Sequence, residues 1–216
     1  GVGEGTTLSN APLVELGATP DQPPTTPRAE GAGWRLDGSK LCVPAGRQAS
    51  RILVPAATGA GTVGVFLVDP SAAGVSQEDL ITTSGQPETR LDLDGVVVGA
   101  GDVLGDPTAG AAIVDWVVER ATAAGCITAV GVCAEALRLT AEYTKTREQF
   151  ERPIATFQAV GQRAADAYID TEAVRLTAWQ AVWRLSEGLP ATEAVAIAQF
   201  WTAEGGQPLV QPAQHP

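Results

Sequence analysis

Arg147-Glu148-Gln149-Phe150-Glu151-Arg152-Pro153-Ile154-Ala155-Thr156-Phe157-Gln158 separates two long helical stretches and carries the densest grouping of functional side chains in the chain. Arg147 and Phe150 fall within one helical turn, Pro153 forces the chain out of the helix, and Gln158 stands where the next helix begins. The stretch is a polar elbow between two helices. Two readings are open for it. In the plainer one Arg147 pairs with a surface carboxylate and Phe150 plugs the core between the helices; in the other these side chains serve a ligand.

Before the elbow, Gly105-Asp106-Pro107 combines a favoured cap with a residue suited to the first helical position, so a helix is predicted to start there. With no breaker before Pro153 it could run about 40 residues, roughly 60 Å at about 1.5 Å per residue. Val114, Val117, Val118, Ala121, Ala124, Gly125, Thr128 and Gly131 trace one face of small side chains that lets another helix approach closely. After the elbow, a second helix from about Ile154 sets Phe157, Val160, Ala164 and Tyr168 on one stripe, continued by Leu176, Trp179 and Trp183. Aromatics at this spacing are expected in the core. Gly188 and Pro190 end that helix. A third, about Ala191 to Glu204, turns Val195, Ala198 and Trp201 inward, and the tail after Gly205-Gly206, with Pro208, Pro212 and Pro216, is expected to be irregular.

Further upstream the texture changes. Residues 1–30 are rich in Gly, Thr and Pro and read as an irregular lead-in. From Trp34 to Val98 short β-type runs alternate with turn residues: Gly33 to Leu36, Lys40 to Val43, Ile52 to Val54, Val63 to Val68, Arg90 to Leu93 and Val96 to Val98. Asp37-Gly38 and Asp94-Gly95 read as hairpin turns. The fold class is α+β: a small antiparallel β domain over residues 31–104, then an antiparallel helical bundle over 105–216.

Composition sets the bounds. A chain of 216 residues with 44% hydrophobic and 18% charged content can bury a core, and a net charge of −11 argues against nucleic acid and anionic membrane surfaces as partners. Cys42, Cys126 and Cys133 have no zinc-like spacing, and reduced, buried thiols in a cytoplasmic protein are expected. The lone His215 offers no triad and no metal site. No apolar run approaches the length of a membrane span, and the N-terminus lacks the order of a signal peptide. The chain, which begins at Gly1 and holds no methionine, reads as a segment of a longer protein.

The pattern R-x-x-F-x-x-P-I followed by F-Q, from Arg147 to Gln158, resembles the acyl-CoA dehydrogenase family, flavoproteins that desaturate acyl thioesters. Trp34-Arg35-Leu36-Asp37-Gly38-Ser39-Lys40 is similar to that family's W-x-L-x-G-x-K, and the runs from Arg51 and Val65, Tyr143, and Arg163-Ala164-Ala165-Asp166 fit in order and spacing. The resemblance covers about residues 1–215. It implies a middle β domain followed by most of a C-terminal helical domain, with an N-terminal helical domain and the extreme C-terminus missing. It further implies FAD as cofactor, an acyl-CoA substrate, electron-transfer flavoprotein as electron acceptor, and a homo- or hetero-tetramer. In that family the elbow of one subunit reaches the FAD diphosphate and adenosine held mainly by its neighbour, which assigns Arg147, Phe150 and Gln158 to cofactor binding.

The reaction needs a carboxylate base for the proton α to the thioester while a hydride leaves the β carbon. One family position for that glutamate lies beyond a G-G-x-G-Y stretch that would follow His215. The other falls on Ala121, and the nearby Glu119 is about 200° around the helix from it. No catalytic base is identified. The family's T-E-x-x-x-G-S-D appears as Val14-Glu15-Leu16-Gly17-Ala18-Thr19-Pro20-Asp21, without the Gly-Ser pair. Its W-I-T or W-I-S appears as Cys42-Val43-Pro44, where proline has neither hydroxyl nor N–H to offer a flavin. Glu151 replaces a glycine at the elbow, where a carboxylate would repel a diphosphate. A catalytically deficient structural subunit of a heteromeric dehydrogenase is therefore the alternative to an active enzyme.

Overall fold

Alternation of inward apolar and outward polar residues builds a pair of sheets in the first half of the chain. The computed structural model describes residues 9–214, so the expectations for residues 1–8 and for His215 lie outside it. The chain divides into two compact units, residues 1–118 and 119–216.

In the first unit, β1 (Ser9–Asn10), β4 (Arg51–Gly59) and β5 (Thr62–Val68) form a three-stranded sheet. β1 runs parallel to β4, and β5 is antiparallel to it. A four-stranded antiparallel sheet has the order β2 (Thr26–Glu30), β3 (Gly33–Pro44), β7 (Glu88–Val98), β6 (Val75–Leu80). Two strands thus come from the stretch read as an irregular lead-in. Leu36, Val43, Ile52, Val54, Phe66, Val68, Leu91, Leu93 and Val96 fill one core, and Trp34 meets Phe66 edge to face at 5.6 Å. Each large side chain buried there contributes about 1.5–3 kcal/mol. The opposite face of β5, Val63 and Val65, packs with Val114, so this strand is covered on both sides.

The two Asp-Gly pairs are not hairpin turns. Both lie inside long strands, and the β3–β7 register slips between Leu36 and Gly38, leaving Asp94 and Gly95 as a bulge opposite Asp37. The Gly95 amide donates to Asp37 Oδ1 at 2.8 Å, and Gly95 takes φ 62°, the left-handed geometry of a bulge. Sequence that would turn a free chain is held in a ladder by the flanking Val96 and Leu93.

The first helix, α1 (Ala111–Thr146), starts later than predicted. Asp106 instead closes a local turn, accepting from both the amide and the hydroxyl of Thr108 at 2.7 Å, and the Gly110 amide is held by the Val63 carbonyl at 2.7 Å.

The second unit packs α1 with α2 (Gln158–Ser186) and α3 (Thr192–Gln214). Its core is small: Ala123, Cys126 and Val130 on α1, Val174, Ala178 and Ala181 on α2, Ala194, Val195 and Ala198 on α3. Small residues here permit close helix approach. The stripe is not the predicted one, since Ala121, Ala124, Gly125, Thr128 and Gly131 face outward. A face drawn through Val114 fits 3.6 spacing either way, and the buried thiols identify the one that packs. The aromatics differ too: Tyr168, Leu176, Trp179 and Trp183 are all more than half exposed, and the inward side of α2 runs Ala167, Thr171, Val174, Ala178, Ala181. Of the residues expected inward on α3, Val195 and Ala198 are buried, whereas Trp201 is 36% exposed.

Gly188 at φ 65° ends α2 as predicted, with the Leu189 amide reaching back to Arg184. α3 continues through Pro208 and Pro212 to Gln214, where an irregular tail was expected. Each proline removes one amide donor from the helix. α1 is long and apolar enough to cross a membrane, by length and composition alone. Its apolar stretch is interrupted by charged residues such as Glu119 and Arg120, in keeping with the absence of a long unbroken apolar run. Ala123, Cys126, Val130 and Cys133 of this helix face the bundle interior.

Candidate functional site

α1 stops at Thr146, seven residues before Pro153, so Arg147 and Phe150 do not share a helical turn. Instead β8 (Glu148–Gln149) and β9 (Arg152–Pro153) form a minimal hairpin. The Arg147 amide still donates to Tyr143 O at 2.8 Å, and the Ile154 amide returns to Arg147 O at 2.8 Å. Buried Ile154 anchors the return. Gln158 is the first residue of α2. The elbow between two helices is therefore a β-hairpin clipped at its base.

Phe150 and Glu151 form its turn, with φ 52° and 63°, the arrangement of a type I′ hairpin that usually holds Asn-Gly. A side-chain-bearing residue in this region costs about 1–2 kcal/mol. Phe150 meets Phe157 edge to face at 6.2 Å, and the Arg152 guanidinium lies 4.1 Å from the Phe157 ring centre. Such contacts contribute about 0.5–1.5 and 0.5–1 kcal/mol, of the order needed to offset one of the two residues. Phe157 and Arg152 are the site residues that sequence reasoning missed. The clue was present in Phe150, Arg152 and Phe157 bracketing a proline.

Phe150 is 87% exposed, which rules out its role as a core plug. Arg147 and Gln158 are exposed as well, and Arg147 is in no ion pair among the described residues. The hairpin and the start of α2 thus expose a cation, an aromatic ring and an amide.

The other positions singled out have different fates. Glu15, on the altered T-E stretch, is buried: it pairs with the Lys40 ammonium and accepts from the Thr25 amide at 3.1 Å and hydroxyl at 2.9 Å. Lys40 also donates to Pro55 O at 2.6 Å. Burial pushes the Lys40 ammonium down from its usual value, and the Glu15 carboxylate opposes that shift. This carboxylate is a strut, fully engaged within the protein.

At the end of β3, Cys42 is exposed with φ 51°, against the expectation of a buried thiol. Partial desolvation of the thiolate, then the adjacent Glu88 carboxylate, push its pKa up. Pro44 O accepts from Asn10 Nδ2 at 2.7 Å, and the Ala45 amide donates to Pro87 O at 2.8 Å. The polar backbone groups beside Pro44 are thus already used. Ala121 is exposed. Glu119 accepts from Thr192 Oγ1 at 2.9 Å and lies 3.5 Å from Arg120, the structural role expected of it. Among the described residues, no group of three His, Cys, Asp or Glu could hold a metal ion.

Residues 109–214 match the family model described as acyl-CoA dehydrogenase, C-terminal domain. The chain is 40% identical over 209 residues to the acyl-CoA dehydrogenase FadE27 of Mycobacterium tuberculosis (strain ATCC 25618 / H37Rv), covering 93% of this chain and 54% of that one. Among solved structures, a chain of the ChsE4-ChsE5 complex from Mycobacterium tuberculosis superposes with a TM-score of 0.87 at 39% identity, over 98% of this chain and 56% of that one. A variant of the Tcur3481-Tcur3483 steroid ACAD gives 0.86, also at 39% identity and over 98% and 56% of the two chains. The chain spans little more than half the length of the curated relatives it matches.

Proposed function

This chain belongs to the acyl-CoA dehydrogenase family, and on that footing we propose that it works in an FAD-dependent desaturation of an acyl-CoA thioester between its α and β carbons. Its part is to lend the elbow to FAD held mainly by a neighbouring subunit. The observation that carries this reading is the hairpin itself. Phe150 stands exposed on the clipped turn, Arg147 and Gln158 are exposed on the flanks of the elbow, and Arg147 is in no ion pair among the described residues. A guanidinium suits a diphosphate, an aromatic ring suits an adenine, and an amide can donate or accept beside them. When bound, FAD accepts the hydride from the β carbon. This chain's residues bind and orient; Ala121 places no carboxylate at the α proton, and Glu119 is engaged elsewhere.

A second reading, in which a different subunit supplies the base and the flavin-ring contacts, is favoured by Pro44. That position offers the ring neither a hydroxyl nor an N–H, and its carbonyl is taken by Asn10. The exposed aromatic face of α2 suits assembly with another helical surface. The two similar solved structures named above each carry two subunit designations, which supports a heteromer over a homo-tetramer. The steroid ACAD among them favours a steroid-bearing thioester over a linear one. Electron-transfer flavoprotein is the proposed electron acceptor. The test is co-purification of the full-length protein with its partner, followed by flavin absorbance and bleaching on addition of acyl-CoA. Turnover by the homo-oligomer alone would eliminate the second reading, and protein colourless in every assembly after FAD soaking would eliminate both.

A further inference from the structure

The hairpin turn puts two consecutive side-chain-bearing residues, Phe150 and Glu151, in left-handed geometry, which neither residue type prefers. Contacts elsewhere must over-determine it. The hairpin has a ladder of two residue pairs, Glu148 with Pro153 and Gln149 with Arg152, and Pro153 contributes no amide to that ladder. What remains converges on one ring. Phe157, preceding α2, receives the Phe150 ring on one contact and the Arg152 guanidinium on another. Arg152 is exposed and in no ion pair among the described residues, so its planar group is committed to the ring and not to Glu148 or Glu151.

We propose that Phe157 and Arg152 are positioning residues, whose stack with Phe150 locks the Phe150-Glu151 turn and so fixes the direction in which the Phe150 ring is offered to the neighbour's FAD. The lock belongs to this chain alone; its purpose rests on the function proposed above. A glycine at position 151 would hold the same turn without help. In this chain the turn is instead held from outside, by side chains that a single substitution can remove.

The decisive measurement is hydrogen exchange on the full-length protein, read at the Ile154 amide that closes the hairpin on Arg147. Arg152→Gln changes an exposed side chain and leaves the buried Ile154 anchor untouched, so folding is retained. It and Phe157→Leu should each raise the Ile154 exchange rate by about fivefold. Adding Glu151→Gly to either should return the rate towards that of the parent. Unchanged exchange in both single variants, or failure of Glu151→Gly to restore it, overturns the lock. FAD titration of the same proteins separates the two claims. A parent that binds FAD with an affinity unmoved by Arg152→Gln overturns the positioning role, whereas a parent that binds none in any assembly overturns the proposed function and the ligand half of this inference, with exchange still deciding the turn.

Discussion

Lys40 and Glu15 form an ion pair inside the β unit, with side chains 2% and 5% exposed. Glu15 also holds both polar groups of Thr25, ten residues on, while Lys40 reaches Pro55 on the other sheet. One carboxylate thus closes the 15–25 loop and ties it to both sheets. Lys40→Met would leave that carboxylate buried without its counter-charge, a change that costs about 3–5 kcal/mol. Adding Glu15→Gln should recover part of the loss, because glutamine can still accept from Thr25. Urea unfolding checks this: a Lys40→Met loss below about 1 kcal/mol would show the pair to be dispensable.

Acid should loosen two turns of the first unit. Asp69 is held below its ordinary value first by the Ser71 hydroxyl and amide, then by Arg51, and Asp106 by the Thr108 hydroxyl and amide. Both folded values are lowered, so the unfolded chain binds more protons as pH drops. Their stabilisation is complete above the ordinary value of 3.8 and is lost as pH falls through the lowered folded values. Melting curves between about pH 5 and pH 2 should show a shallower acid decline in an Asp69→Asn/Asp106→Asn protein than in the parent. Equal declines would rule these turns out.

Gly110 makes a tight passage immediately before α1. A Cβ there would lie 2.7 Å from Val63 O and 3.0 Å from the Gly64 backbone, and neither neighbour is a side chain that can swing away. Gly110→Ala should therefore destabilise by about 1–3 kcal/mol, measured by thermal or urea unfolding, while Gly101→Ala, whose Cβ would meet nothing within 4 Å, should be close to neutral.

Much of this architecture is legible in the chain. Runs such as Val63 to Val68 announce their strand, Gly188 ends α2, and the elbow that starts at Arg147 falls between the helices, with Gln158 opening the second. What escapes is decided by partners distant in sequence. Asp37-Gly38 and Asp94-Gly95 each carry local turn chemistry, yet cancel one another as a bulge once β3 and β7 pair. Trp179 and Trp183 look like core residues by spacing, while Ala178 and Ala181 pack because α3 approaches too closely for large side chains. Nor does sequence distinguish Glu15 as a strut from Glu15 as a ligand-facing carboxylate, since the difference lies in Lys40 and Thr25 folding over it. At the elbow, the residues between the helices are readable as a break, but the left-handed turn that presents Phe150 is visible only in the backbone.

The central claim, that this chain's elbow completes an FAD site on a neighbouring subunit, is tested most directly by FAD affinity of the purified full-length assembly carrying Arg147→Ala. Loss of a charge-assisted contact to a diphosphate predicts a Kd raised about tenfold or more, with only partial recovery in Arg147→Lys. An assembly that binds FAD as tightly with alanine at position 147 as with arginine would contradict it.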